Sequence, residues 1–237
     1  MNNDLTFDKK ILRFNEALSS VSPDLPEGFR LVNPYTGGQK EKVAELTRLF
    51  YKKYYNDNRK RYLILGSSPA RRGSAVTGVP FVDAKVLQQD TGIILDNFLI
   101  NRQSSDFLTD VITAYGGRKK FYAEFYMNFV CPLGVCGRSL HGNEINCNYY
   151  DNSRLKDALN SFIIKTLRWQ VQLGIHTSVC YCIGSGENYR YLSTLNELYH
   201  FFEKIIPLEH PRFITQYNSK RKNEFLEKYI SALNNHY

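Results

Sequence analysis

Residues 63–81 read LILGSSPARRGSAVTGVPF. The apolar run Leu63 to Leu65 stops at Gly66, and serines, prolines, arginines and glycines crowd together before Phe81. A short apolar run closed by glycine is the pattern of a buried strand, and a loop this rich in turn formers belongs at its end. A phosphate loop, a hinge and a catalytic loop all fit such a place, and the rest of the chain must choose among them.

Working outward, strands are predicted at Tyr62–Leu65, Phe121–Val130, Ser178–Ile183 and Ile205–Leu208. Between and around them, helical spacing of apolar residues predicts helices at Asp4–Leu18, Gln39–Tyr55, Ala84–Gln89, Asp106–Tyr115, Ser153–Leu173, Glu187–Phe202 and Ser219–Leu233. SVSPDLPEGFRLVNPYTGG reads as a surface connector and Cys131–Asp151 as a long polar loop. Strands that alternate with helices predict an α/β fold: a mainly parallel central sheet of about four strands flanked by helices. We expect one domain over residues 1–237, with 1–60 an amino-terminal helical part packed on the α/β core. In such sheets ligands bind beyond the carboxyl ends of the strands. Four polar loops hold that position: GSSPARRG, CPLGVCGRSLHGN, GSGEN and EHPRF.

The 237 residues are 43% hydrophobic and 14% aromatic, enough for a core and against wholesale disorder. Net charge is +8, from 31 basic and 23 acidic residues. That balance suits an anionic partner, nucleic acid first, although many proteins are mildly basic without a specific partner. The stretch YKKYYNDNRKRY, which interleaves tyrosines with basic residues, is either a solvated helix end or a nucleic-acid contact. MNNDLTFDKK starts polar and acidic, and no run approaches a membrane span, so a cytoplasmic protein with no membrane partner is expected. The five cysteines form no CxxC pair, and Cys180 and Cys182 would share one face of a strand; reduced thiols and no metal site are expected.

Several chemistries fail on spacing. A P-loop needs four residues between its glycines and then Lys-Ser/Thr, whereas six separate Gly66 from Gly73 and no lysine follows. GxGxxG is absent. A Ser/His hydrolase using Ser68 and His210 lacks the GxSxG elbow, and Pro69 has no N–H to serve as an oxyanion donor.

LGSSPARRGSAVTGVPF resembles motif 1 of the uracil-DNA glycosylase superfamily, in its single-strand-selective monofunctional branch. There a Gly-x-Asn-Pro-Gly-type loop is followed, without gaps, by Thr-Gly-Val-Pro-Phe, present here intact as Thr77 to Phe81. EHPRF resembles motif 2, with the dipeptide His210-Pro211 at a strand end, and CPLGVCGRSL is similar to the family's Cys-Pro-Leu segment. NYYD, at Asn148 to Asp151, matches the branch's bacterial second subgroup. The resemblance implies a monofunctional DNA glycosylase of base excision repair that hydrolyses the N-glycosidic bond of uracil or a related damaged base flipped out of DNA. It implies DNA as partner and no metal or cofactor; a monomer is expected.

By the same resemblance, Gly66 and Ser67 line the base pocket and Phe81 stacks on the flipped base; an ordinary core aromatic is the alternative for Phe81. His210 stabilises charge growing on the base, as a neutral donor or as imidazolium. Arg212, Phe213 and Ile214 fall where the family places its intercalating wedge. Lys220 and Arg221 open the last helix and would grip phosphate, or simply be a solvated basic turn.

Three departures matter. The water-positioning asparagine of motif 1 falls on Ser68, a glycine is replaced by Ala70, and Arg71 and Arg72 bring positive charge to the rim, where they would clamp a phosphate. The base-reading asparagine is displaced as well: an ungapped fit puts Phe129 there, with Asn128 one residue earlier and facing away if the register holds. Asn128 and Asn148 are both carried as candidates. A second function class follows from Ser68: a glycosylase-fold nucleic-acid binding protein that has lost its chemistry.

Overall fold

In the computed structural model, which describes residues 5–95, 102–139 and 141–235, Leu63, Ile64 and Leu65 lie inside a parallel sheet and are at most 2% exposed. Two helices lead in, α1 (Phe7–Ser19) and α2 (Lys40–Tyr55), with a short strand β1 (Arg30–Val32) between them in the chain. Asp4, the expected start of the first helix, lies outside the described residues, as does Leu140. The strand β2 (Tyr62–Gly66) follows, then a single turn α3 (Ser74–Thr77) and the helices α4 (Ala84–Thr91), α5 (Arg102–Ala114) and α6 (Arg118–Glu124). Next come β3 (Phe125–Phe129), the hairpin β4 (Gly134–Arg138) and β5 (Glu144–Cys147), and α7 (Ser153–Val171). The alternation closes with β6 (His176–Ile183), α8 (Glu187–Tyr199), β7 (Lys204–Leu208) and α9 (Lys222–Asn234).

The four parallel strands stand in the order β3-β2-β6-β7. Gly66 pairs with Phe129 and Ile183 with Leu208, so their carboxyl ends share one edge of the sheet. Because helices cover both faces, β2 is buried on both sides and reads as a continuous apolar run. The expected α/β class and four-stranded parallel sheet are therefore found.

Local pattern misjudged four places. Phe121–Glu124, expected as strand, is the end of α6: Gly116 and Gly117, both at positive φ, break the chain before it, and Phe121 then meets Phe125 across one helical turn at 5.1 Å between ring centres. The expected long polar loop at 131–151 carries the hairpin β4–β5, and the expected connector supplies β1, which pairs antiparallel with β4. This second sheet rests on pairing between residues about a hundred positions apart, and it needs a bare backbone at Gly134. A Cβ there would lie 2.8 Å from Ala75 Cβ and 3.0 Å from the Pro69 carbonyl. The last helix, expected from Ser219, starts as a 3₁₀ turn at Ser219–Arg221, and a π turn at Phe213–Tyr217 precedes it.

The basic, tyrosine-rich stretch proves structural in large part. Tyr51 and Tyr55 are 2% exposed and Arg61 is fully buried. The Arg61 guanidinium lies over the rings of Phe7 and Tyr55, donates to the Tyr122 carbonyl, and forks onto Asp57 at 2.5 and 2.8 Å. Burial pushes the Asp57 carboxyl up, but hydrogen bonds from Arg61 and the Arg59 N–H outweigh it and hold the group below its usual range. Asp57→Ala strands a buried cation, and we expect a loss of about 3–5 kcal/mol in denaturant unfolding. Arg59→Ala, on the exposed surface, should stay within about 0.5 kcal/mol of wild type.

Candidate active site

Gly66 is the last residue of β2, and what stands over it explains why it must be glycine. A Cβ at position 66 would lie 2.4 Å from Cζ of Phe81 and 3.0 Å from the Phe129 ring. The Phe81 ring thus rests on bare backbone, 4.7 Å from the ring centre of Phe129 and tilted 30° to it. Phe81 itself has φ +60, a conformation that costs a non-glycine residue about 1–3 kcal/mol and persists only where its surroundings dictate it. Those surroundings are the rest of TGVPF. Thr77 Oγ1 accepts from the Val79 N–H, and the Phe81 N–H donates to Ser74 Oγ. The Tyr35 and Tyr51 hydroxyls, from the connector and α2, both donate to the Gly78 carbonyl.

The loop backbone continues the sheet beyond β2. The Val130 N–H donates to Gly66 and the Cys131 N–H to Ser67, so the two serines are held against β3. The Ser67 hydroxyl donates to Asn148 Oδ1 at 3.0 Å. The Asn148 N–H donates to Asp151 Oδ2 at 2.7 Å. Ser68 Oγ is buried and has no hydrogen-bond partner among the described residues.

At the end of β7, the Tyr229 hydroxyl donates to the Glu209 carbonyl and fixes the chain next to His210. His210 Nδ1 accepts from the Arg212 N–H at 3.1 Å, so the neutral ring carries its proton on Nε2. By surface area His210 is exposed, because it borders the cavity, yet protein crowds its other sides. That crowding, with the Arg212 cation second, lowers its pKa from 6.5 to about 4.

Ser67, Ser68, Phe81, Asn148, Tyr150 and His210 line one cavity of about 430 Å³ at the carboxyl edge of the parallel sheet. Its size falls within the roughly 300–1,000 Å³ typical of small-ligand sites. Arg212, Phe213 and Tyr217 form part of its rim, Phe213 and Tyr217 being 47% and 76% exposed.

Several expected residues are placed otherwise. Asn128 is turned away: it is 4% exposed, donates to the Tyr126 hydroxyl and accepts from the Phe129 N–H, while Phe129 faces the cavity. Strand alternation is the reason, since neighbours on β3 point to opposite faces. Ile214 is fully buried in the core and cannot serve in a wedge. Arg71 is engaged by Glu144, which also holds Arg30, and its N–H donates to Asn146 Oδ1; Arg72 alone of that pair is exposed. Arg221 is paired with Glu224, whereas Lys220 is exposed. GSGEN does not reach the cavity: Asn188 is buried behind it, accepting from the Tyr149 hydroxyl. Tyr150 and Tyr217 were not anticipated. Tyr150 lay within NYYD beside Asn148, but Tyr217 had no motif to mark it.

Among the described residues no cluster of His, Cys, Asp or Glu could hold a metal ion, the five cysteines are free and buried, and no helix is long and apolar enough to cross a membrane.

A model of the uracil DNA glycosylase superfamily matches residues 52–234. The crystal structure of wild-type Pedobacter heparinus SMUG2 is similar over 97% of each chain, with 44% sequence identity and a TM-score of 0.89. No curated protein matches the chain. The resemblance carried by TGVPF, His-Pro and NYYD is therefore borne out, down to the SMUG2 branch.

Two outcomes test this geometry. In Gly66→Ala the added methyl must displace the Phe81 ring, costing about 1–3 kcal/mol in thermal or denaturant unfolding. The Phe81 and Phe129 ring resonances should shift together; unchanged resonances would contradict the contact. In an NMR titration, His210 should stay neutral from pH 8 down to about pH 5 and take up its proton only near pH 4. A midpoint at 6.5 or above would show that the ring is not crowded as described.

Proposed function

This chain belongs to the uracil DNA glycosylase superfamily, and from that premise and the shape of the cavity we infer that it is a DNA N-glycosylase working on a flipped-out base without a cofactor. One observation carries the reading: Ser68 and Phe81 from the loop after β2, Asn148 from NYYD and His210 from the end of β7, three separate parts of the chain, line a single base-sized cavity. Extrusion takes the target base out of the stack, and the cavity offers it a ring face at Phe81 and polar groups at Ser67 and Asn148. The substrate is DNA carrying uracil or a related damaged base, and the protein acts as a monomer.

In the reaction the bond between C1′ of the sugar and the base nitrogen breaks, its electron pair leaves with the base, water adds to the oxocarbenium-like C1′, and the proton that water loses passes through solvent to the base anion. Two charges develop, and the barrier falls as each is stabilised. His210 does so at the base. With Nδ1 occupied by the Arg212 N–H, Nε2–H is the atom left to donate to a base oxygen that becomes negative. A neutral donor suffices there and does not bind the product anion as an imidazolium would. Water is oriented by Ser68 once rotation about its Cα–Cβ bond turns the hydroxyl, buried and without a partner among the described residues, into the cavity. A hydroxyl can orient water but is far too weak a base to deprotonate it, so leaving-group stabilisation carries most of the rate. Arg72, Arg212 and Lys220, all exposed on or near the rim, contact DNA phosphates, and Phe213 enters the gap left by the base.

The test is excision from uracil-containing single- and double-stranded DNA, read by cleavage at the resulting abasic sites. Wild type should give product, and His210→Ala should lower kcat about 10²–10³-fold with little change in KM. Absence of product from either strand form, and from hydroxymethyluracil and hypoxanthine substrates, would instead support a binding protein without chemistry, whose affinity weakens steeply with salt.

A further inference from the structure

Asn148 is the one amide side chain reaching the cavity from the NYYD segment, and a side-chain amide has two orientations that exchange its oxygen and nitrogen. What a base sees depends on which one is adopted. Two groups touch this amide. The Ser67 hydroxyl donates to Oδ1 at 3.0 Å, but a hydroxyl would as readily accept from an N–H, so Ser67 does not choose between the orientations. Asp151 does. Its two carboxylate oxygens lie 3.4 and 3.5 Å from Asn148 Nδ2, and a carboxylate only accepts. Rotating the amide by 180° would set Oδ1 against that carboxylate with no proton between them. The carboxylate is itself held in place: Oδ2 accepts the Asn148 backbone N–H at 2.7 Å, and the Asp151 N–H donates back to the Asn148 carbonyl at 3.1 Å.

We propose that Asp151 is a positioning residue that sets base specificity by locking the Asn148 amide in one orientation. The inference rests on the glycosylase reading of the cavity. In the locked state Nδ2 keeps one N–H and Oδ1 one lone pair for a ligand. That pair complements an edge with a carbonyl beside a ring N–H, the edge that deamination creates in uracil and hypoxanthine. Cytosine and adenine present the opposite order, an amino group beside a bare ring nitrogen, and would suit only the rotated amide. Asp151 thus acts through Asn148 and need not touch the base.

Asp151→Asn tests this with minimal change of shape. The new amide still accepts the Asn148 N–H through its oxygen, but it can also donate to a rotated Asn148 Oδ1, so both orientations become available. The readout is binding of oligonucleotides bearing 2′-fluoro-2′-deoxyuridine or 2′-fluoro-2′-deoxycytidine, in which the glycosidic bond resists cleavage, with thermal unfolding measured alongside. We expect the uridine-to-cytidine affinity ratio to fall about tenfold or more, the scale of one well-made pair of base contacts. A ratio equal to wild type, or both affinities falling together at constant ratio, overturns the proposal and leaves Asp151 a structural role. Asp151→Ala is the second variant: it removes the carboxylate altogether, so neither amide orientation is penalised and the ratio should fall as in Asp151→Asn, and a ratio equal to wild type there equally overturns the assignment. A wild-type protein with no preference for uridine overturns both this proposal and the glycosylase reading, whereas a wild-type preference that survives in Asp151→Asn overturns the proposal alone.

Discussion

A phenyl ring lying on a glycine sets the geometry of this protein's cavity. The Phe81 ring meets the backbone of Gly66 where any Cβ would intrude, and it packs beside Phe129 on the neighbouring strand. Three things must hold for that contact: β2 must end with its backbone bare, the loop must return after α3, and Phe81 must accept a left-handed conformation. Tyr35 and Tyr51 enforce the return by clamping the Gly78 carbonyl from the amino-terminal part of the chain. Helix α2 and the connector before it are thus coupled to the cavity wall at Phe81, although no residue of α1 or α2 lines the cavity.

Electrostatics divides along a similar line between what is free to act and what is already used. The chain carries a net charge of +8, but several of its cations are already paired: Arg61 internally with Asp57, and at the surface Arg71 and Arg30 with Glu144 and Arg221 with Glu224. Paired cations lower the cost of folding or shape a loop; they contribute less to a polyanion's binding than exposed ones. Of the cations the sequence marks, Arg72, Arg212 and Lys220 are exposed, and Arg212 lines the cavity together with the exposed rings of Phe213 and Tyr217. Inside the cavity the balance is neutral rather than cationic, since crowding keeps the proton off His210 near pH 7.

Much of this was legible beforehand. Leu63–Leu65, Phe125–Phe129 and Cys180–Ile183 are apolar on both faces because helices cover both sides of a parallel sheet, and such runs need no partner to be recognised. TGVPF and His-Pro were legible for a different reason, since residues at fixed spacing in a loop record a geometry that only a few side chains satisfy. The hairpin β4–β5 was missed because its strands are only five and four residues long, with glycines at 134 and 137, and its third strand lies a hundred residues away in the chain. Ile214 was misplaced because a linear pattern in an irregular segment does not say which way a side chain turns: it follows the exposed Phe213 and is wholly buried. Asn128 faces away from the cavity, as strand alternation implied.

By itself, the sequence determined the α/β class, the loop at the end of β2 and the identity of the residues that motif spacing marks, because local periodicity and turn chemistry suffice for these. Only the tertiary structure decided that Asn148 and not Asn128 faces the cavity, that Arg71 is spent on Glu144, that the Nδ1 of His210 is already occupied, and that Asp151 orients the amide of Asn148. Each of these depends on a contact whose partner, or whose direction, is set by packing and not by neighbours along the chain. Burial, hydrogen-bond direction and charge pairing are properties of three-dimensional surroundings, and the same residue letters are compatible with either outcome until the chain is folded.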